Sequence, residues 1–278
     1  MANITAQDIN NLRKMTGVGM MDCKQALTEA EGDFDKAIEI LRKKGQKVAN
    51  KRADRETNEG NAIARTTAEN DFGIAFVLTC ETDFVSKGDD FIKAANDIMD
   101  VAMAGKFASA ADLSSAKLIN ENKTVGELVN DLLGRIQEKI EIASYVTLSA
   151  PHVTAYTHHN KKISALVSFN KTCQGIEEAG KDIAMQIAAM APVAIDESSV
   201  APEIIEKELD IARELIRQEG KPEEMVEKIA QGKLNKFFKE STLLNQGFIK
   251  DGNLSVKAYL ETIDKELKVS TFYRLTVS

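Results

Sequence analysis

Cysteine is scarce in this sequence, and the cysteines present are too widely spaced for a metal ribbon. Cys23, Cys80 and Cys173 form no Cys-x-x-Cys pair, which is the spacing that a zinc ribbon needs. Their odd number and wide separation also argue against a disulfide framework and fit a reducing compartment. We expect each cysteine to be a small buried apolar residue.

Long apolar runs are also absent. No stretch of about 18 apolar residues occurs, so the sequence predicts no membrane-spanning helix. The opening Met-Ala-Asn-Ile-Thr-Ala-Gln-Asp lacks the basic region and apolar run of a secretory signal. Together with the cysteine content, this pattern predicts a cytoplasmic protein.

Motifs for nucleotide binding and hydrolysis are missing too. There is no Gly-x-x-x-x-Gly-Lys-Ser/Thr loop to hold phosphates, and the sequence contains neither His-Glu-x-x-His nor Gly-x-Ser-x-Gly. The first histidine is His152. On a strand, His158 and His159 would point to opposite faces and could not share one metal ion. We therefore expect no enzymatic activity, no cofactor, no metal and no direct nucleotide binding.

The charge balance is acidic, with 36 Lys and Arg against 43 Asp and Glu and a net charge of -7. This argues against nucleic acid as a partner. We interpret the basic segment from Arg42 to Arg55 as a solvated helix end and linker rather than a binding patch. The length of 278 residues fits about two domains.

Local signals predict three short helices in residues 1–50. Thr5 can cap the first helix, and glycines separate it from the second. Because Met20 and Met21 are adjacent on a helix, at most one of them can point fully inward. A polar linker is expected over residues 51–60. The predicted inward residues of the first helix are Ile9, Leu12 and Met15.

Two similar units are predicted in the middle of the chain, in residues 61–145 and 146–200. Each has a hairpin followed by a helix, and Ile74–Leu78 matches Ile163–Val167, so the core looks like a duplicated hairpin-plus-helix unit. The predicted strands are Ala62–Ala68, Gly73–Cys80, Val153–His158 and Ile163–Phe169. The helix after the second hairpin is predicted to face inward through Ile183, Ile187 and Met190.

After Pro202 the composition shifts to charged, helix-favouring residues. Narrow apolar seams on both sides of a Gly-Lys-Pro turn predict an antiparallel helical hairpin inserted at residues 201–232. Residues 233–278 then complete the second core half and end in a strand, Val269–Val277. The seam residues are Ile205, Leu209, Ala212 and Ile216, and in return Met225, Ile229 and Gly232. The predicted fold is α+β, with an amino-terminal three-helix bundle, a duplicated antiparallel core and this inserted hairpin.

Two segments resemble signatures of the bacterial elongation factor Ts family. Thr16-Gly-Val-Gly-Met-Met-Asp-Cys-Lys-Gln-Ala-Leu27 is similar to the family's amino-terminal signature, and Leu78-Thr-Cys-Glu-Thr-Asp-Phe-Val85 contains its Thr-Asp-Phe-Val motif. The order of the predicted domains agrees, so the resemblance covers nearly the whole chain. It implies a non-enzymatic factor that binds elongation factor Tu in its GDP form and promotes release of GDP.

The resemblance also implies which residues contact the partner. Asp83 and Phe84, within the motif from Thr82 to Val85, would enter the GTPase domain and displace a helix, disturbing the magnesium and phosphate sites. His158 matches a position on the second core half that contacts another domain of the partner. The residues that match contacts of the amino-terminal domain are Arg13, Met20, Met21 and Lys24.

Other interpretations of these residues stay open. Phe84 could be a core residue that closes the hairpin, the methionines could be core residues, and Arg13 and Lys24 could be solvated charges. The protein could also be a cytoplasmic adaptor that uses an amino-terminal bundle similar to ubiquitin-associated domains, or a thiol enzyme using Cys173. Some family members continue into a further helix that contacts the partner, which is not expected here. Oligomeric state differs within the family, so a homodimer is left open.

Overall fold

The computed structural model describes residues 4–277. Residues 1–3 of the predicted amino-terminal domain and Ser278 of the predicted second core half lie outside that description. Helices and antiparallel strands both contribute, so the predicted α+β class is confirmed. Of the helices in that range, none is both long enough and apolar enough to cross a bilayer.

Helices α1 (Ala6–Thr16), α2 (Met20–Glu29) and α3 (Phe34–Lys51) pack around one small apolar cluster. Thr5 and Asp8 form a reciprocal capping box at the start of α1, which satisfies amides that the helix leaves unpaired. At 18 residues, α3 is not the short helix that was predicted. It extends to the predicted linker because no proline interrupts it.

The first sheet contains β1 (Glu59–Thr66), β2 (Phe72–Cys80) and β3 (Glu141–Ser149), in the order β1-β2-β3. β1 and β2 form the first predicted hairpin, and β3 pairs antiparallel with the other edge of β2. The sequence does not predict β3, because most of its residues are only half-buried and so give a weak period-two signal. As the central strand, β2 is buried over almost its whole length.

The chain between β2 and β3 covers this sheet with helices. They are α4 (Asp83–Ser86), α5 (Asp89–Gly105), α6 (Ala110–Ser115) and α7 (Val125–Ile136). A capping box of Thr124 and Glu127 begins α7. Near its end, Gly134 lies against Gly45 of α3, whose Cβ, if it had one, would be 3.6 Å from the Gly134 Cα. This close crossing places the amino-terminal helices on the core. Fully buried members of the core include Phe76, Phe91, Ile98, Leu113 and Leu132.

The second half contains a further sheet and two long helices. Its elements are β4 (His152–Thr157), β5 (Ile163–Phe169), α8 (Ile176–Met190), α9 (Pro202–Gln218), α10 (Glu223–Ser241), β6 (Gly247–Phe248), β7 (Asp251–Ser255), α11 (Val256–Ile263) and β8 (Val269–Thr276). The sheet has the order β4-β5-β8 and is antiparallel. Both the second predicted hairpin and the last predicted strand are present.

Met190 was predicted to face inward and does not. Ile183 and Ile187 are fully buried, but Met190 is 46% exposed. The helix ends at this residue, and Ala191 follows it in the left-handed region, with φ 45°. No further helical turn therefore covers the Met190 side chain.

Helices α9 and α10 pair as an antiparallel hairpin, with two predicted seam residues of α10 exposed instead of buried. Met225 is 45% exposed, whereas the neighbouring Val226 is 2% exposed, and Gly232 is exposed as well. Pro222 caps α10 and sets the phase of the helix, so that buried residues recur every four positions from Val226. The buried seam of α10 consists of Val226, Ala230, Leu234 and Phe238, and the helix continues past residue 232 to Ser241.

Candidate functional site

A short turn after β2 presents one apolar residue to solvent and buries the next. Thr82 caps α4, its side-chain oxygen accepting a hydrogen bond from the Val85 amide at 3.4 Å. Phe84 is 85% exposed, so its interpretation as a core residue is wrong. Val85 is 9% exposed and packs in the core of the first sheet. Val85 therefore anchors the turn in the core, and its role as a contact residue stays a prediction.

Asp83 is also exposed on this turn and forms an ion pair. Its Oδ2 lies 2.7 Å from Lys87 Nζ, with both side chains more than half exposed. This hydrogen bond from Lys87 lowers the pKa of Asp83 below its usual value. At neutral pH the turn therefore presents a carboxylate at the residue before the exposed Phe84.

Two glutamates fix the backbone next to the turn through hydrogen bonds, and no local sequence pattern indicates either of them. Glu138 accepts hydrogen bonds at 3.1 Å from the amides of Glu81 and Thr82, and at 2.8 Å from the Thr82 hydroxyl. The Glu81 carboxylate accepts bonds from Arg52 at 2.7 Å, Arg55 at 2.8 Å and the Lys139 amide at 2.7 Å. Burial alone would raise the pKa of Glu81, but these three donors together lower it to about 2.

The arginines that bind Glu81 follow α3 directly, in the segment predicted as a linker. Because both guanidinium groups contact Glu81, this segment is attached to the core close to the Phe84 turn. Lys139 reinforces the attachment by donating from Nζ to the Arg55 carbonyl at 3.1 Å. The segment after the amino-terminal helices is thus fixed next to the Phe84 turn by ion pairs with Glu81 and does not form a flexible linker there.

His158 lies in the turn between β4 and β5. The ring is half-buried, and its Nδ1 is 2.9 Å from the Tyr156 hydroxyl. The ring centroids of His158 and His159 are 4.2 Å apart, so the prediction that they point to opposite faces is wrong. Both residues follow the end of β4, where strand alternation no longer applies.

The His158 turn and the Phe84 turn lie close together because β1 contacts both of them. The Ala62 amide donates to the Lys161 carbonyl at 2.6 Å, and the buried Asn61 side chain donates to the Ser86 carbonyl at 3.2 Å. Lys162 also pairs with Glu59 at 2.9 Å. Two candidate contact segments that are far apart in sequence therefore share one end of the core.

The predicted contact residues of the amino-terminal helices are all exposed. Met20 is 48% and Met21 is 77% exposed, so neither packs in the core, and Arg13 and Lys24 also face solvent. Met15, which was predicted to face inward, is 64% exposed. These exposed residues lie on α1 and α2, in a part of the chain separate from the Phe84 turn.

A cleft of about 660 Å³ lies away from the Phe84 turn, between α1 and α3 on one side and α5 and α7 on the other. Most of its charged groups pair with one another, as in Lys93–Asp97 at 2.6 Å and Lys123–Asp131 at 3.4 Å. These pairs neutralise the positive charge that nucleotide phosphates would need. Within residues 4–277, no group of three or more His, Cys, Asp or Glu side chains could hold a metal ion.

A family model and full-length relatives of this chain all indicate the same protein family. The family model described as "Elongation factor TS" matches residues 81–278. Proteins named "Elongation factor Ts" from Christiangramia forsetii and Amoebophilus asiaticus are 50% identical over 277 residues and 51% identical over 275 residues, covering 100% and 99% of both chains. The protein of that name from Cytophaga hutchinsonii is 48% identical over 279 residues, with full coverage of both chains. With a family model matching most of its length and relatives matching from end to end, the chain belongs to the elongation factor Ts family.

Proposed function

We propose that this chain binds the GDP form of elongation factor Tu and promotes GDP release by inserting the turn from Thr82 to Val85 into the GTPase domain. Membership of the elongation factor Ts family gives the chain a nucleotide-exchange role in translation elongation. The partner and the part played by the turn are our proposal. Such a factor needs no covalent chemistry, because it acts by stabilising the nucleotide-free form of its partner.

The exposure of Phe84 is the observation that best supports this proposal. A phenylalanine with 85% of its surface in solvent gains about 1.5–3 kcal/mol when a partner buries it. The cap on α4 and the hydrogen bonds to Glu138 fix the backbone in advance, so little ordering is needed on binding. To drive exchange, this contact must be stronger in the nucleotide-free state than in the GDP state.

We propose that Asp83 acts with Phe84 on the same domain of the partner. The surface formed by Arg13, Met20, Met21 and Lys24 would add a second contact through the amino-terminal helices, and His158 a third through the second core half. Methionines suit such a surface because their flexible, polarisable side chains adapt to a partner. Several spaced contacts would hold the factor in place while the Phe84 turn acts.

We also propose the finer domain organisation predicted from the sequence. Residues 1–50 form an amino-terminal helical domain, and residues 51–60 form a linker. The first core half comprises residues 61–145, and the second comprises residues 146–200 together with 233–278. The helical hairpin of residues 201–232 is an arm inserted in the second core half. The pairing of central strands supports the duplicated core, since β2 and β5 each have strands on both sides and are followed in the chain by the helices α5 and α8. We expect the protein to act in the cytoplasm, and a homodimer stays open.

The adaptor alternative has some support of its own. The exposed methionines of α2 fit any partner that accepts an apolar helix face. An adaptor that binds only through the amino-terminal helices gives no reason for an exposed phenylalanine on a capped turn of the core. We therefore favour exchange.

The proposed function is tested by release of a fluorescent GDP analogue from elongation factor Tu. With excess unlabelled GDP present, we expect the release rate to rise with factor concentration and to reach a plateau. The same amount of heat-unfolded chain serves as the control. A release rate that is independent of the folded chain would refute the exchange function and leave the adaptor reading.

A further inference from the structure

The position of the Phe84 turn depends on a carboxylate that lies outside the turn and its motif. We propose that Glu138 is a positioning residue for nucleotide exchange. It fixes the direction of Phe84 by accepting hydrogen bonds from Glu81 and Thr82, the two residues before Asp83. This inference rests on the proposed role of Phe84. Glu138 follows α7, and it reaches the turn across 56 and 57 residues of sequence.

The backbone at the turn has left the sheet, and Glu138 takes the place of the missing strand partner. The pairing of β1 with β2 ends at Cys80, and that of β2 with β3 ends at Thr79. The amides of Glu81 and Thr82 come immediately afterwards, and both donate to Glu138 Oε2 at 3.1 Å. The Glu81 amide lies at a partly buried position, where a backbone donor needs such a partner.

Glu138 also sets the cap of α4. The Thr82 hydroxyl donates to Glu138 Oε1 at 2.8 Å and in turn accepts from the Val85 amide at 3.4 Å. The carboxylate therefore orients the hydroxyl that starts the helix. Because Phe84 lies in the first turn of that helix, its direction depends on where the helix begins.

The contact is reciprocal, which makes it stiffer than a single ion pair. The Glu138 side chain binds the Glu81 amide, while the Glu81 side chain binds the amide of Lys139, the next residue after Glu138, at 2.7 Å. Each segment thus holds the backbone of the other, as the two residues of a capping box do. Bonds to ionised carboxylates are also stronger than those between neutral groups.

Removing Glu138 should affect the release step more than docking. The surface around Met20 and Met21 does not depend on this carboxylate, so the half-saturating concentration of factor should change less than about threefold. The loss of charge-assisted hydrogen bonds of this kind changes an equilibrium or rate constant by roughly tenfold or more. We therefore expect the maximal GDP-release rate with Glu138→Ala to fall about tenfold.

The experiment compares Glu138→Ala, Glu138→Gln, Phe84→Ala and the double variant Glu138→Ala/Phe84→Ala in GDP-release titrations. Glu121→Ala is the matched control, because Glu121 pairs with Lys123 at 2.8 Å and lies apart from the turn. Amide hydrogen exchange of residues 81–86 reports the turn directly, without the partner. We expect faster exchange at Glu81 and Thr82 in Glu138→Ala, and normal exchange in Glu121→Ala.

The glutamine variant and the double variant make the test specific. In Glu138→Gln the amide oxygen can still accept from both backbone amides, so we expect an intermediate rate and a melting temperature equal to the parent's. If Glu138 acts only through Phe84, the double variant should be no slower than Phe84→Ala alone. This lack of additivity would not arise from a general loss of stability.

The failure of this inference can be distinguished from failure of the proposed function. A slow Phe84→Ala variant with a Glu138→Ala variant at full rate would overturn the role of Glu138 alone. Multiplicative losses in the double variant would also overturn it, because Glu138 would then act elsewhere. A Phe84→Ala variant at full rate would instead refute the insertion mechanism itself.

Discussion

Replacing Phe84 with alanine removes an exposed ring and leaves the rest of the turn in place. The bond from the Val85 amide to Thr82 and the bonds to Glu138 do not involve the ring. Since the side chain is 85% exposed, we expect the free energy of unfolding to change by less than about 0.5 kcal/mol. A buried phenylalanine would instead lose about 3–5 kcal/mol.

The same change should have a large effect on the partner. An apolar anchor near the centre of an interface contributes about 2 kcal/mol or more. If Phe84 makes its contact only in the state that releases nucleotide, a loss of 2 kcal/mol slows release roughly 30-fold. We therefore expect GDP release at saturating Phe84→Ala factor to be about 30-fold slower than with the parent.

Stopped-flow release of a fluorescent GDP analogue measures this rate, and thermal melting measures stability on the same samples. Ile119→Ala is a matched control, since Ile119 is 62% exposed but lies outside the proposed contact surfaces. It should support release at the parent's rate. A Phe84→Ala variant that melts normally and releases GDP at the full rate would refute the reasoning.

Three further predictions concern the scaffold. Gly60 has φ 149°, and an added Cβ would collide with the Leu78 carbonyl. Gly60→Ala should therefore lower the free energy of unfolding, measured by chemical denaturation, by about 3 kcal/mol. The control Gly252→Ala, at a position with open space around it, should change this free energy by less than about 0.5 kcal/mol. Hydrogen bonds hold the pKa of Glu81 at about 2, below its unfolded value of about 4.3, so its ionised form stabilises the fold above about pH 5 and this stabilisation is lost as the pH falls toward 2. We expect Glu81→Gln to be about 1–2 kcal/mol less stable than the parent at pH 7, after solvent screening is allowed for, and a difference that persists undiminished at pH 2 would count against this. Ile216 is fully buried in the helical hairpin. Ile216→Asp should therefore speed amide hydrogen exchange in α9 and α10 without shifting the main melting transition. Unfolding of the whole chain in this variant would instead show that the hairpin belongs to the core.

The parts of the fold that follow local rules could be predicted from the sequence. Thr5 and Thr124 each mark a helix start by a capping box that involves neighbours in the chain. The two predicted hairpins have short turns, so their strands pair with near neighbours. Signals of this kind depend on a few consecutive residues, and a single sequence contains them in full.

Features that depend on packing could not be predicted in the same way. An apolar residue after a strand fits both a core and an exposed position, so the exposure of Phe84 follows only from the three-dimensional arrangement. Val226 rather than Met225 is buried because of the phase of the whole helix. The contact of Glu138 with Glu81 and Thr82 joins segments more than 50 residues apart, and no local pattern indicates that they meet.

The central claim is that this chain stabilises the nucleotide-free form of elongation factor Tu, and a pair of equilibrium titrations tests it most directly. The first measures the Kd of GDP for elongation factor Tu with and without saturating factor, and the second measures the Kd of the factor with and without saturating GDP. Linkage requires the two ratios to be equal, and we expect both to lie well above about ten, toward the upper part of the usual range of coupling. An affinity for GDP that the bound factor leaves unchanged would contradict the account.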